Sequence, residues 1–276
     1  MARDAGHPAE HRLLVCPPDH YRIAYEINPW MRVERAANRH VARVQWDALT
    51  ATLEKECGAT LDRVEPAADL PDMVFTANAG VVVGRSVILS RFRCPERQAE
   101  EDLFARWFEA YGYTVVRLPR ELFFEGAGDL LENRDVWFGG YGQRSDVRAY
   151  HYLGSLGGRD IILLELVDPR FYHLDTCLCP LPGGEVMWFP GAFSRPGQAV
   201  IRNLVPVSSR IEVPEEEALR FACNAVCIGT HVVIPEGCPG TMKKLEDHGY
   251  RVYAVCLSEF IKAGGAAKCL TLALSG

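Results

Sequence analysis

The 276-residue sequence has no excess of basic residues: 30 Lys and Arg stand against 36 Asp and Glu, a formal charge of −6. Non-specific nucleic-acid binding needs a basic surface, so the balance argues against that class. The acidic surplus is compatible with a cationic substrate but too small to imply one. No apolar run approaches the ~18–20 residues of a membrane-spanning helix. Residues 1–10 are polar and carry no apolar stretch of a secretory signal. No Pro/Gly/Ser-rich stretch or run of charge marks a linker, and no Gly-Lys-Ser/Thr follows the glycines to make a phosphate loop. The expectation is a single cytoplasmic domain over residues 1–276, with 1–10 as a disordered tail, engaging neither nucleic acid nor membrane.

Cysteine is the opposite case, with ten residues scattered from Cys16 to Cys269. A disulfide framework belongs to short secreted chains, so reduced thiols packed as small hydrophobes are expected. Hydrophobic residues make up 48% and charged residues 24%, an ordinary globular composition. A soluble chain of this length buries roughly three-quarters of its unfolded surface.

A weak period of roughly 40–55 residues runs through the chain. Each unit reads as a polar-headed strand, an apolar strand, a helix and a third strand. In one unit Val74 to Val83 and Ser86 to Ser90 are followed by a helix from about Glu96 to Tyr111, with Leu103, Trp107 and Ala110 on one stripe. Gly112 suits its C-terminal cap, and Thr114 to Leu118 follows. The next begins at Phe123, with a helix from about Ser145 to Leu156 and a buried strand from Ile161 to Leu166. Others begin at Tyr172, ending near Val213, and at Cys223, ending with Tyr250 to Cys256. The N-terminal unit has a strand Leu13 to Cys16, a helix from about Ala36 to Cys57 and a strand from about Leu61 to Glu65. It closes only if Cys269 to Leu272 returns to it as a strand. Five ββαβ units around one axis would be a propeller-like α/β domain; an α/β sandwich with accidental periodicity is the alternative.

Polar residues recur at the heads of the first strands: Asn78, Glu125 with Asp129, His173 with Asp175, and Asn224. In a closed ring they converge on one cavity, as binding sites do. Phe-Glu-Gly-Ala-Gly-Asp at 124–129 lets a flat ligand approach its glycines, and equally reads as a polar turn. His173 and Asp175 fall on one face if the segment is a strand, and a carboxylate beside an imidazole favours its protonated form. Cys177 and Cys179 follow, but no second pair has metal-ligand spacing, so neither metal nor other cofactor is expected. Cys269 follows Gly264-Gly265-Ala266-Ala267-Lys268. That is either a glycine-rich loop delivering a thiol, with Lys268 favouring the thiolate, or a turn before a buried cysteine.

Four motifs in this order resemble the guanidino-group modifying enzyme superfamily: Asp72-Met73-Val74-Phe75-Thr76-Ala77-Asn78-Ala79-Gly80, Phe124-Glu125-Gly126-Ala127-Gly128-Asp129, His173-Leu174-Asp175-Thr176, and Gly264-Gly265 with Lys268-Cys269-Leu270-Thr271. The likeness covers about residues 12 to 274 and implies the pentein fold, a five-bladed α/β-propeller of pseudo-fivefold ββαβ repeats. The superfamily includes arginine deiminase, dimethylarginine dimethylaminohydrolase, the amidinotransferases and arginine dihydrolase. Ile27-Asn28-Pro29-Trp30-Met31 and the Thr76 to Gly80 strand most resemble arginine dihydrolase. By position, the resemblance implies Cys269 as nucleophile, His173 as general acid/base and Glu125 as the carboxylate on the guanidinium. It also implies Asp175 on another edge of that group, with Asp129 and Phe75 as further substrate contacts. Arg97 and Arg144 would take the substrate carboxylate, and Asn28 its amino-acid end. Asn78 stands where deiminases usually have Asp. The known dihydrolases often carry a long C-terminal extension, which this sequence lacks, so any coupled downstream step is in doubt.

What the resemblance implies is a hydrolase acting on the guanidino group of free arginine through a Cys thiouronium intermediate. The expected products are ornithine, carbon dioxide and two ammonias. The rivals are a single-step deiminase or dimethylaminohydrolase giving citrulline, an amidinotransferase, and a non-catalytic binding protein of the same fold. The expected partner is a small guanidine, with assembly of the chain with its own copies left open.

Overall fold

The computed structural model describes residues 11–157 and 159–274. The N-terminal tail expected to be disordered, residues 1–10, lies outside them. Among them, no helix is long and apolar enough to cross a membrane.

Among the described residues, fifteen strands form five three-stranded sheets. The first blade contains β1 (Arg12–Val15), helix α1 (Arg39–Lys55) and β2 (Thr60–Arg63). The second contains β3 (Gly80–Val83), β4 (Ser86–Leu89), α2 (Glu100–Ala110) and β5 (Thr114–Val116). The third contains β6 (Leu130–Asn133), β7 (Val136–Tyr141), α3 (Val147–Gly157) and β8 (Asp160–Glu165). The fourth contains β9 (Leu178–Pro180), β10 (Val186–Trp188), α4 (Arg195–Leu204) and β11 (Arg210–Glu212). The fifth contains β12 (Val226–Ile228), β13 (His231–Pro235), α5 (Pro239–Asp247) and β14 (Arg251–Val255). Finally β15 (Leu272–Ala273) returns to pair antiparallel with β1, Leu13 opposite Ala273 and Leu14 opposite Leu272. In every blade the middle strand pairs antiparallel with the inner strand and parallel with the outer one. The parallel pair needs a crossover, and the helix supplies it. This is the five-bladed ββαβ propeller, and the C-terminus closes the ring as the repeat requires.

Burial follows strand position. Middle strands such as β4 and β13 are buried almost throughout, because another strand lies on either side. Outer strands are half-exposed. That corrects the expectation of a buried strand at 161–166: in β8 only Leu164 is fully enclosed, because this strand forms the outer edge of its blade. The stripe on α2 also shifts. Phe104, Trp107 and Phe108 are its buried face, Leu103 is half-buried and Ala110 is exposed. Burying each such aromatic side chain contributes about 1.5–3 kcal/mol. Gly112 does end the helix, in the left-handed region at φ +77°.

The polar heads of the inner strands are not strands. Pro71–Val74, Thr76–Ala79, Gly126–Gly128 and Leu174–Thr176 are short 3-10 turns that lead into β3, β6 and β9. Short polar side chains and glycines offer the backbone local bonds in place of a sheet ladder. Thr176 is an example, its hydroxyl donating to the His173 carbonyl at 2.6 Å. Residues of every inner strand, among them Val81, Leu131, Cys179, Cys227 and Leu272, line a central cavity of about 440 Å³.

Candidate active site

Each blade delivers one segment to the site, just before its inner strand. Asn78 comes from the second blade, Glu125 and Asp129 from the third, His173 and Asp175 from the fourth, Asn224 from the fifth and Cys269 from the closing segment. All are buried.

Cys269 sits in a turn that Asn224 holds. The Asn224 side-chain oxygen accepts from the backbone N–H of Ala266 at 3.0 Å and of Cys269 at 3.1 Å. Its Nδ2 donates to Cys269 Sγ at 3.1 Å and to the Asp175 carbonyl at 3.0 Å. The thiol in turn donates to Asp175 Oδ2 at 3.5 Å. Burial, and then the Asp175 charge, push the Cys269 thiol well above its ordinary range, against the opposing bonds from Ala266 and Asn224. The free protein therefore holds a neutral thiol, and a cation beside it would favour the thiolate.

His173 and Asp175 do not share a strand face, because Asp175 lies within the Leu174–Thr176 turn that His173 begins. His173 Nε2 meets Glu125 Oε2 at 2.7 Å, while Asp175 faces the nucleophile. Glu125 also receives Arg144 Nη1 at 3.2 Å and the Arg93 N–H at 3.1 Å. Burial alone would raise the Glu125 carboxyl, but Arg144, the hydrogen bond and charge of His173, and Arg97 hold it well below the usual carboxylate range. An ionised carboxylate only accepts, so His173 Nε2 carries the shared proton.

Asn78 is fixed at both ends of its amide: Arg97 Nη1 donates to its oxygen at 2.9 Å, and its Nδ2 donates to the Glu125 carbonyl at 2.9 Å. Arg97 is clamped by Glu100 through two bonds of 3.0 and 2.8 Å. Asp129 uses both oxygens internally, accepting from Ser145 Oγ at 2.6 Å and from the Leu174 N–H at 3.0 Å. Ser145 Oγ also accepts from the Glu125 N–H, so this pair ties the Glu125 and His173 segments together.

A small cavity over Cys269 is lined by Ile27, Asn28, Met31, Asp72, Phe75, Asn78, Arg97, Arg144, Tyr172 and Ala263, and encloses about 10 Å³, room for about one water. It thus gathers Asn28, Phe75, Asn78, Arg97, Arg144 and Cys269 of the expected set. Glu125, Asp129, His173 and Asp175 stand behind this lining, and Asp175 borders the central cavity instead. The cover is hydrogen-bonded shut: Asn28 Nδ2 to the Ala263 carbonyl at 3.0 Å, Arg144 Nη2 to the Ile27 carbonyl at 2.6 Å, and Tyr172 Oη to the Gly264 carbonyl at 2.8 Å. Asn28 and Arg144 therefore close the site in this state. Among the described residues no group of three or more His, Cys, Asp or Glu is gathered as a metal would need.

Sequence reasoning assigned no role to Asp72, Tyr172, Ser145 or Glu100, and saw Asn224 only as a repeat position. Asp72 opens the first of the four motifs. Tyr172 adjoins His173, yet only the fold turns it over Arg144, whose guanidinium carbon is 4.8 Å from the ring centre.

Two expected results follow from this geometry. A Cβ on Gly128 would stand 2.4 Å from Asn78 Nδ2 and 3.4 Å from the His173 ring. Gly128→Ala should lower kcat about 10²-fold, the effect of a roughly 1 Å misplacement, while costing about 1–3 kcal/mol of stability. Turnover measured beside the melting temperature separates the two. Second, burial pushes Asp175 up to about 7 from 3.8, against Lys268 and the hydrogen bonds from Cys269 and Asn224. The folded state therefore holds this proton more tightly than the unfolded one. Its stabilisation is complete below about pH 4 and is lost as pH rises through about 7. Asp175→Asn should flatten stability against pH in that window by on the order of 4 kcal/mol. Flattening should be partial, because burial also raises Asp129 to about 6 and Glu100 to about 7. Denaturant melts at several pH values test this, and an unchanged slope would refute it.

Comparison with known proteins agrees with this architecture. The family described as N,N dimethylarginine dimethylhydrolase, eukaryotic, matches residues 25–275. The chain is 48% identical to the bifunctional arginine dihydrolase/ornithine cyclodeaminase ArgZ of Synechocystis sp. across 95% of its own length, and spans 37% of that protein. It is 39% identical to the N(G),N(G)-dimethylarginine dimethylaminohydrolase of Mycobacterium tuberculosis, covering 96% of this chain and 86% of that one. The crystal structure of the N-terminal domain of ArgZ, as a cysteine-to-serine variant bound to substrate, superposes with a TM-score of 0.93 at 45% identity, covering 96% of this chain and 98% of that one. The chain therefore belongs to the dimethylarginine dimethylaminohydrolase family, among the guanidino-group modifying enzymes of pentein fold.

Proposed function

We propose that the chain is a single catalytic domain that hydrolyses arginine to ornithine, carbon dioxide and two ammonias, acting in the cytoplasm, where its thiols stay reduced. The observation that carries this reading is the amide of Asn78 between Arg97 and Glu125, where a carboxylate would suit only the cationic substrate. The 48% identity to a protein described as an arginine dihydrolase points the same way, as does the substrate held by the serine variant of the ArgZ domain.

Five buried carboxylates, Asp72, Glu100, Glu125, Asp129 and Asp175, surround the site against Arg97, Arg144 and Lys268, a balance that favours a bound cation. Among the described residues, Asp72 Oδ1 and Asp175 Oδ1 are buried and have no hydrogen-bond partner. They are the open acceptors, Asp72 in the small cavity for an ammonium and Asp175 beside Cys269 for a guanidinium edge. Arginine enters when the Asn28–Ala263 and Arg144–Ile27 contacts part, which frees Arg144 for its carboxylate.

The guanidinium charge offsets that of Asp175 and lets the Cys269 thiolate form, its proton passing to the His173 imidazole. Sulfur attacks Cζ, and His173, oriented by Glu125, protonates the departing ammonia. His173 then takes a proton from the water that cleaves the thiouronium, leaving a ureido group and free Cys269. A second round at the ureido carbon expels the second ammonia and releases ornithine as its carbamate, which loses carbon dioxide.

The test is to incubate the protein with arginine and quantify citrulline, ornithine and ammonia. Two ammonias per ornithine, with no build-up of citrulline, are expected. Citrulline as end product would favour the single-step reading, which the 39% identical mycobacterial relative supports. Dimethylarginine supplied in parallel tests that substrate directly.

A further inference from the structure

We propose that Cys179 and Cys227 form a redox-active dithiol, which a peroxide converts to a disulfide joining the fourth and fifth blades. Their sulfurs lie 3.6 Å apart, in van der Waals contact, on the facing inner strands β9 and β12. Among the described residues no other two cysteine sulfurs are hydrogen-bonded to each other. All ten cysteines are free thiols.

Access separates this pair from the nucleophile. Both line the central cavity of about 440 Å³, large enough for a peroxide, and Cys227 is only half-buried. Cys269 lines the small closed cavity instead. Lys268 borders the central cavity and its charge favours the Cys227 thiolate, against the hydrogen bond shared with Cys179 and burial, which keep that thiol protonated. A cavity-lining thiol with a second thiol in contact to resolve it is the arrangement that oxidises reversibly.

The step balances without a metal or cofactor. One sulfur gives its electron pair to a peroxide oxygen. The O–O bond breaks, and the thiol proton leaves in the first water, giving a sulfenic acid. The second sulfur attacks that sulfur, the S–O bond breaks, and the second water departs with the remaining proton. Two thiols and one hydrogen peroxide become one disulfide and two waters.

The bond would add a covalent tie between two blades that no sheet ladder joins. The fourth and fifth blades are separate sheets, and the two cysteines are 48 residues apart in sequence. Closing a loop of that length restricts the unfolded chain. Cys179 follows the turn carrying His173 and Asp175, and Cys227 follows Asn224, so the tie links the segments on either side of the nucleophile.

The full chain should be treated with a few equivalents of hydrogen peroxide, alkylated, digested and mapped by mass. The expected result is a cross-linked peptide pair containing Cys179 and Cys227, lighter than its reduced parts by two hydrogens. The melting temperature should rise by about 5 °C and return with dithiothreitol. Cys227→Ser should show neither change. Recovery of both cysteines as alkylated thiols, or cross-links to other cysteines only, would overturn the proposal. A bridge that forms without moving the melting temperature would overturn the bracing. If Cys227→Ser does not fold, the peptide map of the unsubstituted chain decides alone.

Discussion

Replacing Cys269 by serine is expected to lower kcat on arginine by about 10⁴-fold or more while leaving its dissociation constant within about tenfold. The site explains why sulfur is needed. Burial and Asp175 already hold the thiol neutral in the free protein, and among the described residues only one side-chain N–H, from Asn224, is directed at Sγ. The bound guanidinium must supply the rest of the stabilisation of the thiolate, about 1.4 kcal/mol for each tenfold gain in the ratio of thiolate to thiol. A serine hydroxyl is a far weaker acid still, and His173 is engaged with Glu125 rather than with residue 269. No group in the cluster can make up that difference. The mutation is close to isosteric, and the Asn224 bonds to the Ala266 and Cys269 N–H groups do not involve the sulfur. The turn and the cavity should survive, so calorimetric titration with arginine should still give a binding isotherm. A serine variant turning over at a near-normal rate would remove Cys269 from the mechanism.

The repeat was legible because each blade spends its residues in the same order. The return of the C-terminus to β1 followed from counting strands, since Leu13 to Cys16 had no inner partner nearby in sequence. The conformation of the strand heads was not legible. Val-Phe-Thr-Ala-Asn reads as an extended apolar run, yet local hydrogen bonds fold Thr76–Ala79 into a turn. The same error put His173 and Asp175 on one face. Partner choice was hidden too. The resemblance implies Arg97 as a receptor for the substrate carboxylate, but Glu100, three residues on, takes two of its bonds. Ser145 could not have been singled out, because its link to Asp129 and Glu125 joins positions 16 and 20 residues away. Asn224 had one usable signal, its place in the fifth unit opposite Asn78 in the second.

Asn78→Asp is expected to stop the reaction at citrulline, lowering ornithine formation about 10²-fold or more while arginine is still consumed. The amide works in both directions here: its oxygen accepts from Arg97 and its Nδ2 donates to the Glu125 carbonyl. A carboxylate keeps the first contact and strengthens it, because Arg97 is cationic. It loses the second, setting an oxygen against the Glu125 carbonyl oxygen with no proton between them. That repulsion costs about 1–3 kcal/mol, the penalty of a buried group left unsatisfied. The added charge also changes which ligand the site prefers. Arginine's guanidinium offsets another negative charge beside Glu125 and Asp175, whereas the ureido group of citrulline is neutral and cannot. A loss of about 3 kcal/mol in binding and activating the second substrate corresponds to about 10²-fold. The first step keeps its cation, its nucleophile and the His173–Glu125 pair, so it should fall by much less. Time courses that follow citrulline and ornithine separately, started once from arginine and once from citrulline, measure the two steps independently. If Asn78→Asp released ornithine from citrulline at the unsubstituted rate, the fate of the intermediate would have to be set elsewhere, and Asp175, the other carboxylate against the sulfur, would be the next residue to replace.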